Sequence, residues 1–466
     1  MREKKLLINS VLYFWGSLGK GVVSIIVVFM ASFYVSPSDM GVYDLVISTI
    51  TLLQPIIIFQ INDGIYRWLL ESPDEKKNII KCGFKVAYRN IIIADVIMLG
   101  VMANVNMQYK VLIAILLDLN CIYPLFQQIT RGLKNHKIFA ISGIINGVLA
   151  LVISYILMKY FNQGVKGFYV AQIVANIAGI AYLGIVQNIS IGFWGGDREK
   201  IKEYSGPMQK YSIMLVPNSV NQWVMKALDK YCILFYLSTF ENGIYTVAHR
   251  FPDILIMFNN MFYSAWVEQS IVEYKSEDRD VYFSKIYGMY TNVIISIVLI
   301  AMPITKYFIH LFVGLEYQEA YRYVPFLYIG VIFLGLSSFI GTGYLGTKHT
   351  EGILWTSLAG SVTNTTINIA LMPFWGLHIA GISSVCAYFA MWVIRTWQTK
   401  KFFKINIKWR TFIPLIVLTF IFAIGVQFNW LWLDMLFELI AVVLAITINH
   451  ELIAAIIASC ANKLKR

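Results

Sequence analysis

Apolar segments about 20 residues long recur fourteen times along the chain, and this recurrence restricts the fold more than any other feature. A helix needs about 20 apolar residues to cross the hydrocarbon core of a bilayer. Only 14% of the residues are charged, whereas a soluble domain has about 25%. The sequence therefore predicts an all-α integral membrane protein with about fourteen transmembrane helices. The predicted cores are 8–34, 43–69, 84–105, 111–130, 138–160, 167–190, 209–237, 242–268, 283–312, 322–346, 352–374, 378–397, 411–429 and 431–458.

The basic residues are distributed unevenly between the two sides of the predicted membrane. With the N-terminus inside, the inner loops and termini hold 28 of the 38 Lys and Arg residues, and the outer loops hold four. This asymmetry follows the positive-inside rule and predicts that both termini are cytoplasmic. Contact between these residues and anionic membrane lipids also explains the net charge of +12, so the charge does not indicate binding of nucleic acid.

Short motifs recur in the same order in the two halves of the chain. Gly41-Val-Tyr43 recurs as Gly243-Ile-Tyr245, and Arg131-Gly-Leu-Lys134 aligns with Leu345-Gly-Thr-Lys348. Because an even number of spans separates the corresponding points, the halves are predicted to be parallel six-helix repeats around a central cavity, with alternating access. The predicted divisions are 1–196 for the N-terminal half, 197–402 for the C-terminal half and 403–466 for two additional transmembrane helices.

Charged residues inside the predicted spans are candidates for function, because an ion within the bilayer needs a partner or a wet cavity. Asp229 and Arg250 are equidistant from the centre of the polar turn Ser238–Glu241, and in helices both would lie roughly 13 Å below its level. The two residues form either a structural salt bridge or part of a cavity site. Asp95 and Asp118 are further candidates for coupling to H⁺ or Na⁺.

Four basic residues in the predicted spans form a second candidate site. Lys226 and Lys230 are one helical turn apart with only one acid beside them, so the local charge stays positive. With Lys20 and Arg250 they would form a cationic patch suited to an anionic head group such as a diphosphate. Lys230 could instead extend outward to the membrane surface. The first half does not repeat these charges, which argues against a role in the fold alone.

No catalytic motif has the sequence context that it would need. Gly341-Thr-Gly-Tyr-Leu-Gly346 satisfies GxGxxG, but it ends an apolar span, where small residues serve helix packing. The five cysteines and six histidines are dispersed without the spacing of a metal site. The short predicted outer loops leave no room for a catalytic domain. We therefore predict a protein that is not an enzyme, with no catalytic residues, no metal site and no cofactor, apart from a coupling ion.

Several motifs along the chain are typical of one family of transporters. They are Gly41-Val-Tyr-Asp44, Ile61-Asn-Asp-Gly-Ile-Tyr-Arg67, Gln128-Ile-Thr-Arg-Gly-Leu-Lys134, Leu228-Asp-Lys230 and Gly243-Ile-Tyr-Thr-Val-Ala-His-Arg250 with Pro252. Through them the whole chain resembles the Wzx-type polysaccharide flippases of the multidrug/oligosaccharidyl-lipid/polysaccharide (MOP, MATE-like) exporter superfamily. The resemblance includes the two additional C-terminal helices.

This resemblance implies a flippase of the bacterial cytoplasmic membrane. Its substrate would be an undecaprenyl-diphosphate-linked oligosaccharide unit for capsule, O-antigen or a similar polymer. Lys20, Lys226, Lys230 and Arg250 would contact the diphosphate or an acidic sugar, and Asp229 would position these cations. The implied partners are membrane lipids and the polymerase and glycosyltransferases of the same pathway.

Two other functions stay open on the sequence. A cation-coupled exporter of drugs or small solutes could use a related scaffold, although its cavity would be expected to be acidic. A membrane-embedded polymerase or transferase is disfavoured by the short outer loops.

Overall fold

The computed structural model describes residues 25–104, 108–188, 197–347, 351–428 and 430–454. Within these ranges the chain is predominantly helical and forms no β-strand. Nine helices in the described ranges are long and apolar enough to cross a membrane, by length and composition. The predicted all-α membrane fold is therefore confirmed. The number of fourteen spans and the cytoplasmic location of both termini stay predictions.

The chain forms two compact units, one ending at Leu228 and the other beginning at Asp229. The helices of the first unit are α1 (Pro37–Ile57), α2 (Ile61–Glu71), α3 (Lys76–Asn104), α4 (Lys110–Gly132), α5 (His136–Lys159), α6 (Gly164–Val186) and α7 (Arg198–Ile213), and the boundary falls within α8 (Val216–Tyr236). Those of the second unit are α9 (Thr239–Glu273), α10 (Arg279–Phe312), α11 (Val324–Gly346), α12 (Glu351–Trp375), α13 (His378–Thr399), α14 (Trp409–Gly425) and α15 (Leu431–Ile448). The three-part division predicted from the repeats stays a prediction.

Two of the predicted spans are each divided into two helices. The segment 43–69 is interrupted between α1 and α2, where Phe59 and Gln60 adopt left-handed backbone angles with φ of 52° and 53°. The segment 209–237 is interrupted between α7 and α8, and Pro217 lies at the start of α8. Proline has no N–H and cannot continue the hydrogen-bond ladder of a preceding helix. The length and hydropathy of these apolar segments did not show the interruptions.

The first unit packs around α4. The hydroxyl of Tyr123 on α4 donates a hydrogen bond of 3.1 Å to the carbonyl of Ser142 on α5. Gly179 on α6 allows close approach, because a Cβ there would lie 2.6 Å from the Tyr123 ring. Asn146 donates to Asn176 over 2.9 Å and joins α5 to α6. Polar contacts between helices thus supplement the apolar packing of this unit.

The second unit packs around α11, in which most residues between Val324 and Tyr344 are buried. Trp266 on α9 stacks on Phe339 of α11 with 4.3 Å between ring centroids. The indole N–H of Trp266 donates to the Thr342 hydroxyl over 3.2 Å. The buried aromatic ring therefore has a hydrogen-bond partner, and the contact fixes α9 against α11.

A buried ion pair attaches the last two helices to the second unit. The ammonium group of Lys306 on α10 lies 2.8 Å from the carboxylate of Asp434 on α15, and their side chains are 4% and 2% exposed. Lys306 also donates to the carbonyl of Phe428 over 3.1 Å. Neither charge stood out in the sequence, because each lies near the end of an apolar segment.

Candidate functional site

The candidate site in the second unit is built around the buried carboxylate of Asp229, which is 4% exposed. The Tyr245 hydroxyl donates to Asp229 Oδ2 over 3.0 Å, and Asn368 Nδ2 donates to Oδ1 over 2.8 Å. Helices α8, α9 and α12 each contribute one of these residues. A buried carboxylate is therefore held between three helices by neutral donors.

A chain of amide and hydroxyl groups extends the site from Asp229 into α13. Asn368 Nδ2 also donates to Asn364 Oδ1 over 3.1 Å. Asn364 Nδ2 in turn donates to the Ser383 hydroxyl over 3.2 Å. The Oδ1 atom of Asn368 is buried and has no hydrogen-bond partner in the described part of the chain. Several oxygen atoms that can accept a hydrogen bond or ligate a hard cation thus lie near one carboxylate, which can itself take up a proton.

The sequence analysis identified Asp229 but missed its neutral partners. Asn364 and Asn368 have the i, i+4 spacing that places two side chains on one face of a helix. Two asparagines at this spacing inside an apolar span are a signal that could have identified the site. Tyr245 stands out in the sequence only as part of the repeated Gly-Ile-Tyr motif.

Arg250 pairs with Asp253 and not with Asp229 in this structure. Arg250 Nη1 lies 3.6 Å from Asp253 Oδ2, and His249 Nδ1 lies 3.2 Å from Asp253 Oδ1. His249 and Arg250 each lie within about one helical turn of Asp253 on α9. The Asp229 carboxylate instead accepts hydrogen bonds from Tyr245 and Asn368. Asp229 and Arg250 thus have different neighbours, and their joint role in a cavity site stays a prediction.

The four predicted cationic residues differ in their surroundings. Lys226 is exposed, and Lys230 and Arg250 are half-buried. Lys230 is close enough to Asp253 for an electrostatic interaction. Lys20 lies outside the described residues. The role of these four cations in binding an anionic head group stays a prediction.

Asp95 and Asp118 are brought together in the first unit, although nothing in the sequence places them near each other. They lie on α3 and α4, both are half-buried, and their side chains are within hydrogen-bond reach. A hydrogen bond between two carboxyl groups requires a proton on one of them. The pair can therefore hold a proton, and its role in ion coupling stays a prediction.

Comparisons with known proteins place the fold. No family model matches the sequence, and no curated protein matches it. The lipid II flippase MurJ in an inward closed conformation matches the structure with a TM-score of 0.66 and 14% identity, over 95% of this chain and 100% of that chain. An inward-facing multidrug resistance MATE family transporter of the MOP superfamily matches with a TM-score of 0.62 and 12% identity, over 82% of this chain and 94% of that chain.

One of these proteins is a lipid II flippase, and the other is a multidrug resistance transporter. That the chain is not an enzyme stays a prediction. The motifs that resemble Wzx-type flippases had predicted a fold of the same superfamily. The chain therefore has the fold of the transporters of the MOP superfamily.

Proposed function

We propose that the protein is a flippase that moves undecaprenyl-diphosphate-linked oligosaccharide units across the bacterial cytoplasmic membrane by alternating access. The product would supply the synthesis of capsule, O-antigen or a similar polysaccharide. The observation that carries this proposal is the likeness to a lipid II flippase over 95% of this chain and the full length of that one. The likeness to the MATE transporter covers 82% of this chain.

The proposed substrate contact is the cationic set of Lys20, Lys226, Lys230 and Arg250. A diphosphate offers several oxygen acceptors, and ammonium and guanidinium groups bind such acceptors by charge-assisted hydrogen bonds. The exposed side chain of Lys226 and the half-buried side chains of Lys230 and Arg250 support this proposal. The proposed partners of the flippase are the polymerase and glycosyltransferases that act on the same glycan.

The proposed coupling site is Asp229 with its neutral partners. A transported ion must be bound and released, and a buried carboxylate does this with either H⁺ or Na⁺. Asn364 Oδ1 and the unpartnered Asn368 Oδ1 add oxygen atoms of the kind that hard cations prefer. The pair of Asp95 and Asp118 is a second proposed coupling site, in the first unit.

The second candidate function is a cation-coupled exporter of small solutes or drugs. The likeness to a multidrug resistance MATE transporter favours it, with a TM-score of 0.62. The basic residues Lys226, Lys230 and Arg250 argue against it, because an organic cation would be repelled by a cationic cavity.

Reconstitution into proteoliposomes distinguishes the two functions. A fluorescent polyprenyl-diphosphate oligosaccharide is placed in both leaflets, and a membrane-impermeant quencher measures how fast the inner pool becomes accessible. We expect the wild-type protein to flip this lipid, and Lys226→Ala and Arg250→Ala each to slow flipping on the order of tenfold, because each loses a charge-assisted hydrogen bond.

Lys166→Ala is the matched control, because Lys166 is exposed and lies at the start of α6. Equal flipping by the wild type and both variants would remove the cationic site. Efflux of organic cations without movement of the glycolipid would replace the flippase with the exporter.

A further inference from the structure

A cavity of about 460 Å³ lies in the second unit, where one end each of α10, α14 and α15 come together. The positive-inside distribution of basic residues predicts that these ends face the cytoplasm. The cavity is lined by basic, amide and apolar side chains, including Lys285, Lys408, His450, Asn292 and Phe412. Neither the proposed transport path nor the Asp229 site uses these residues.

Helices α14 and α15 contact each other near their connecting turn. There Phe422 stacks on Phe437 with 4.3 Å between ring centroids, and Gly425 makes room for the Phe437 ring. Along its whole length, each of these two helices packs on α10 more than on the other. The cavity lies between the start of α14, the end of α15 and α10.

Hydrogen bonds fix the walls of this cavity. The backbone N–H of Asn406 donates to the Ser284 hydroxyl over 2.9 Å and holds the loop before α14 against α10. Asn449 Nδ2 donates to the buried Ser296 hydroxyl over 2.9 Å and holds the end of α15 on the same helix. These two bonds hold the loop before α14 and the end of α15 against α10.

The charge around the opening favours an anion. The segment 400–410 contains five basic residues and no acid. Glu451 also lines the cavity, and its charge is outweighed by those of Lys285 and Lys408. Trp409, which is 51% exposed, begins α14 beside the cavity. Tryptophan prefers the level of the lipid head groups, so the opening is placed at that depth.

We propose that this cavity binds the phosphate head group of an anionic glycerophospholipid from the cytoplasmic leaflet. Lys285 and Lys408 contact the phosphate, and Phe412 and Leu452 contact the first methylene groups of the acyl chains. The lipid holds α14 and α15 at a fixed separation on α10. This inference does not depend on the identity of the transported substrate.

Native mass spectrometry of the purified full chain in detergent tests the proposal. The protein is titrated with phosphatidylglycerol, with phosphatidylethanolamine, and with water-soluble glycerol 3-phosphate. We expect one tightly bound phosphatidylglycerol and weaker binding of the zwitterionic lipid, because each basic residue favours the anionic head group. Glycerol 3-phosphate is expected to compete poorly. Tight binding of it would show that the site takes a free phosphate and would overturn the lipid assignment.

Three double variants and one single variant test whether the lipid binds in this cavity. Lys285→Ala/Lys408→Ala is expected to weaken binding of phosphatidylglycerol by about tenfold or more, and Lys285→Arg/Lys408→Arg to retain it. Gly288→Trp fills the cavity without changing its charge, since open space surrounds a Cβ at Gly288, and is expected to abolish tight binding. Lys401→Ala/Lys404→Ala removes the same charge from exposed positions that do not line the cavity.

Equal weakening by Lys401→Ala/Lys404→Ala and by Lys285→Ala/Lys408→Ala would show general attraction by the basic loop and overturn the proposal. Undiminished binding by Gly288→Trp would overturn it as well. A thermal melt of each variant separates loss of the site from loss of the fold. If the alanine pair fails to fold, the comparison of Gly288→Trp with the wild type decides the question.

Discussion

Asn368 donates a hydrogen bond of 2.8 Å to the carboxylate of Asp229, across 139 residues of sequence. Both side chains are buried, at 0% and 4% exposure. This bond joins α8 to α12 within the second unit and leaves Asn368 Oδ1 buried and unpartnered. A change in what the carboxylate binds therefore acts directly on the contact between the two helices.

We predict that Asp229→Asn abolishes ion-driven acceleration of transport while the protein stays folded. The amide replaces the carboxylate in shape and can keep one hydrogen bond to each partner, so the expected loss of stability is about 1 kcal/mol. It cannot take up H⁺ or bind Na⁺ through a charge. Transport in proteoliposomes with an imposed H⁺ or Na⁺ gradient measures the effect.

Asp253→Asn is the control for this substitution, because Asp253 pairs on the same helix with His249 and Arg250. An undiminished gradient response in Asp229→Asn would exclude Asp229 as the coupling site. Comparison of the two gradients in the wild type identifies the ion.

We predict that removal of either partner of the ion pair between Lys306 and Asp434 strongly destabilises the second unit. Each single change, Lys306→Met or Asp434→Leu, leaves a buried charge without its partner at a cost of about 3–5 kcal/mol. The double change removes both charges and is expected to recover most of that loss. Thermal melting of the four proteins in detergent measures the coupling, and additive losses in the double variant would mean that the pair is not coupled.

The carboxyl pair of Asp95 and Asp118 gives a prediction for the first unit. Asp118→Asn supplies a permanent donor to Asp95 and removes the opposing charge, so we expect equal or greater thermal stability. Asp118→Leu removes the donor and leaves Asp95 alone among apolar residues, and we expect it to be less stable by about 1–3 kcal/mol. Equal melting temperatures for these two variants would show that the carboxyl groups do not interact.

Packing around α11 leads to a prediction about glycine. A Cβ at Gly335 would overlap the Tyr290 hydroxyl and lie 3.1 Å from Asn259 Oδ1. Tyr290 and Asn259 are buried and hydrogen-bonded to each other, so neither can move aside without loss. We expect Gly335→Ala to lower the free energy of unfolding by about 1–3 kcal/mol. At Gly143 an added Cβ meets open space, so Gly143→Ala is expected to raise the free energy of unfolding by about 0.5–1 kcal/mol through helix propensity. Melting curves of the two variants distinguish these outcomes.

The predicted spans show where sequence reasoning succeeds and where it stops. The apolar segments predicted the helices of both units, because the mean hydropathy of about 20 residues shows whether a segment can cross a bilayer. Mean hydropathy did not show the helix breaks at Phe59 and Gln60 and before Pro217. A break of two or three residues barely changes the mean hydropathy of a whole span. Hydropathy also did not distinguish Lys306 and Asp434 from other charged residues near the ends of predicted spans.

The sequence by itself determined the all-α membrane fold and Asp229 as a residue that needs an explanation. These follow from composition, from the spacing of motifs and from the cost of a charge in a bilayer. Only the tertiary structure decided that Asp229 is held by Tyr245 and Asn368, that Arg250 turns to Asp253, and that Asp95 meets Asp118. Such partners lie on different helices or on a particular helical face, and their choice depends on how the helices pack, which local sequence does not encode.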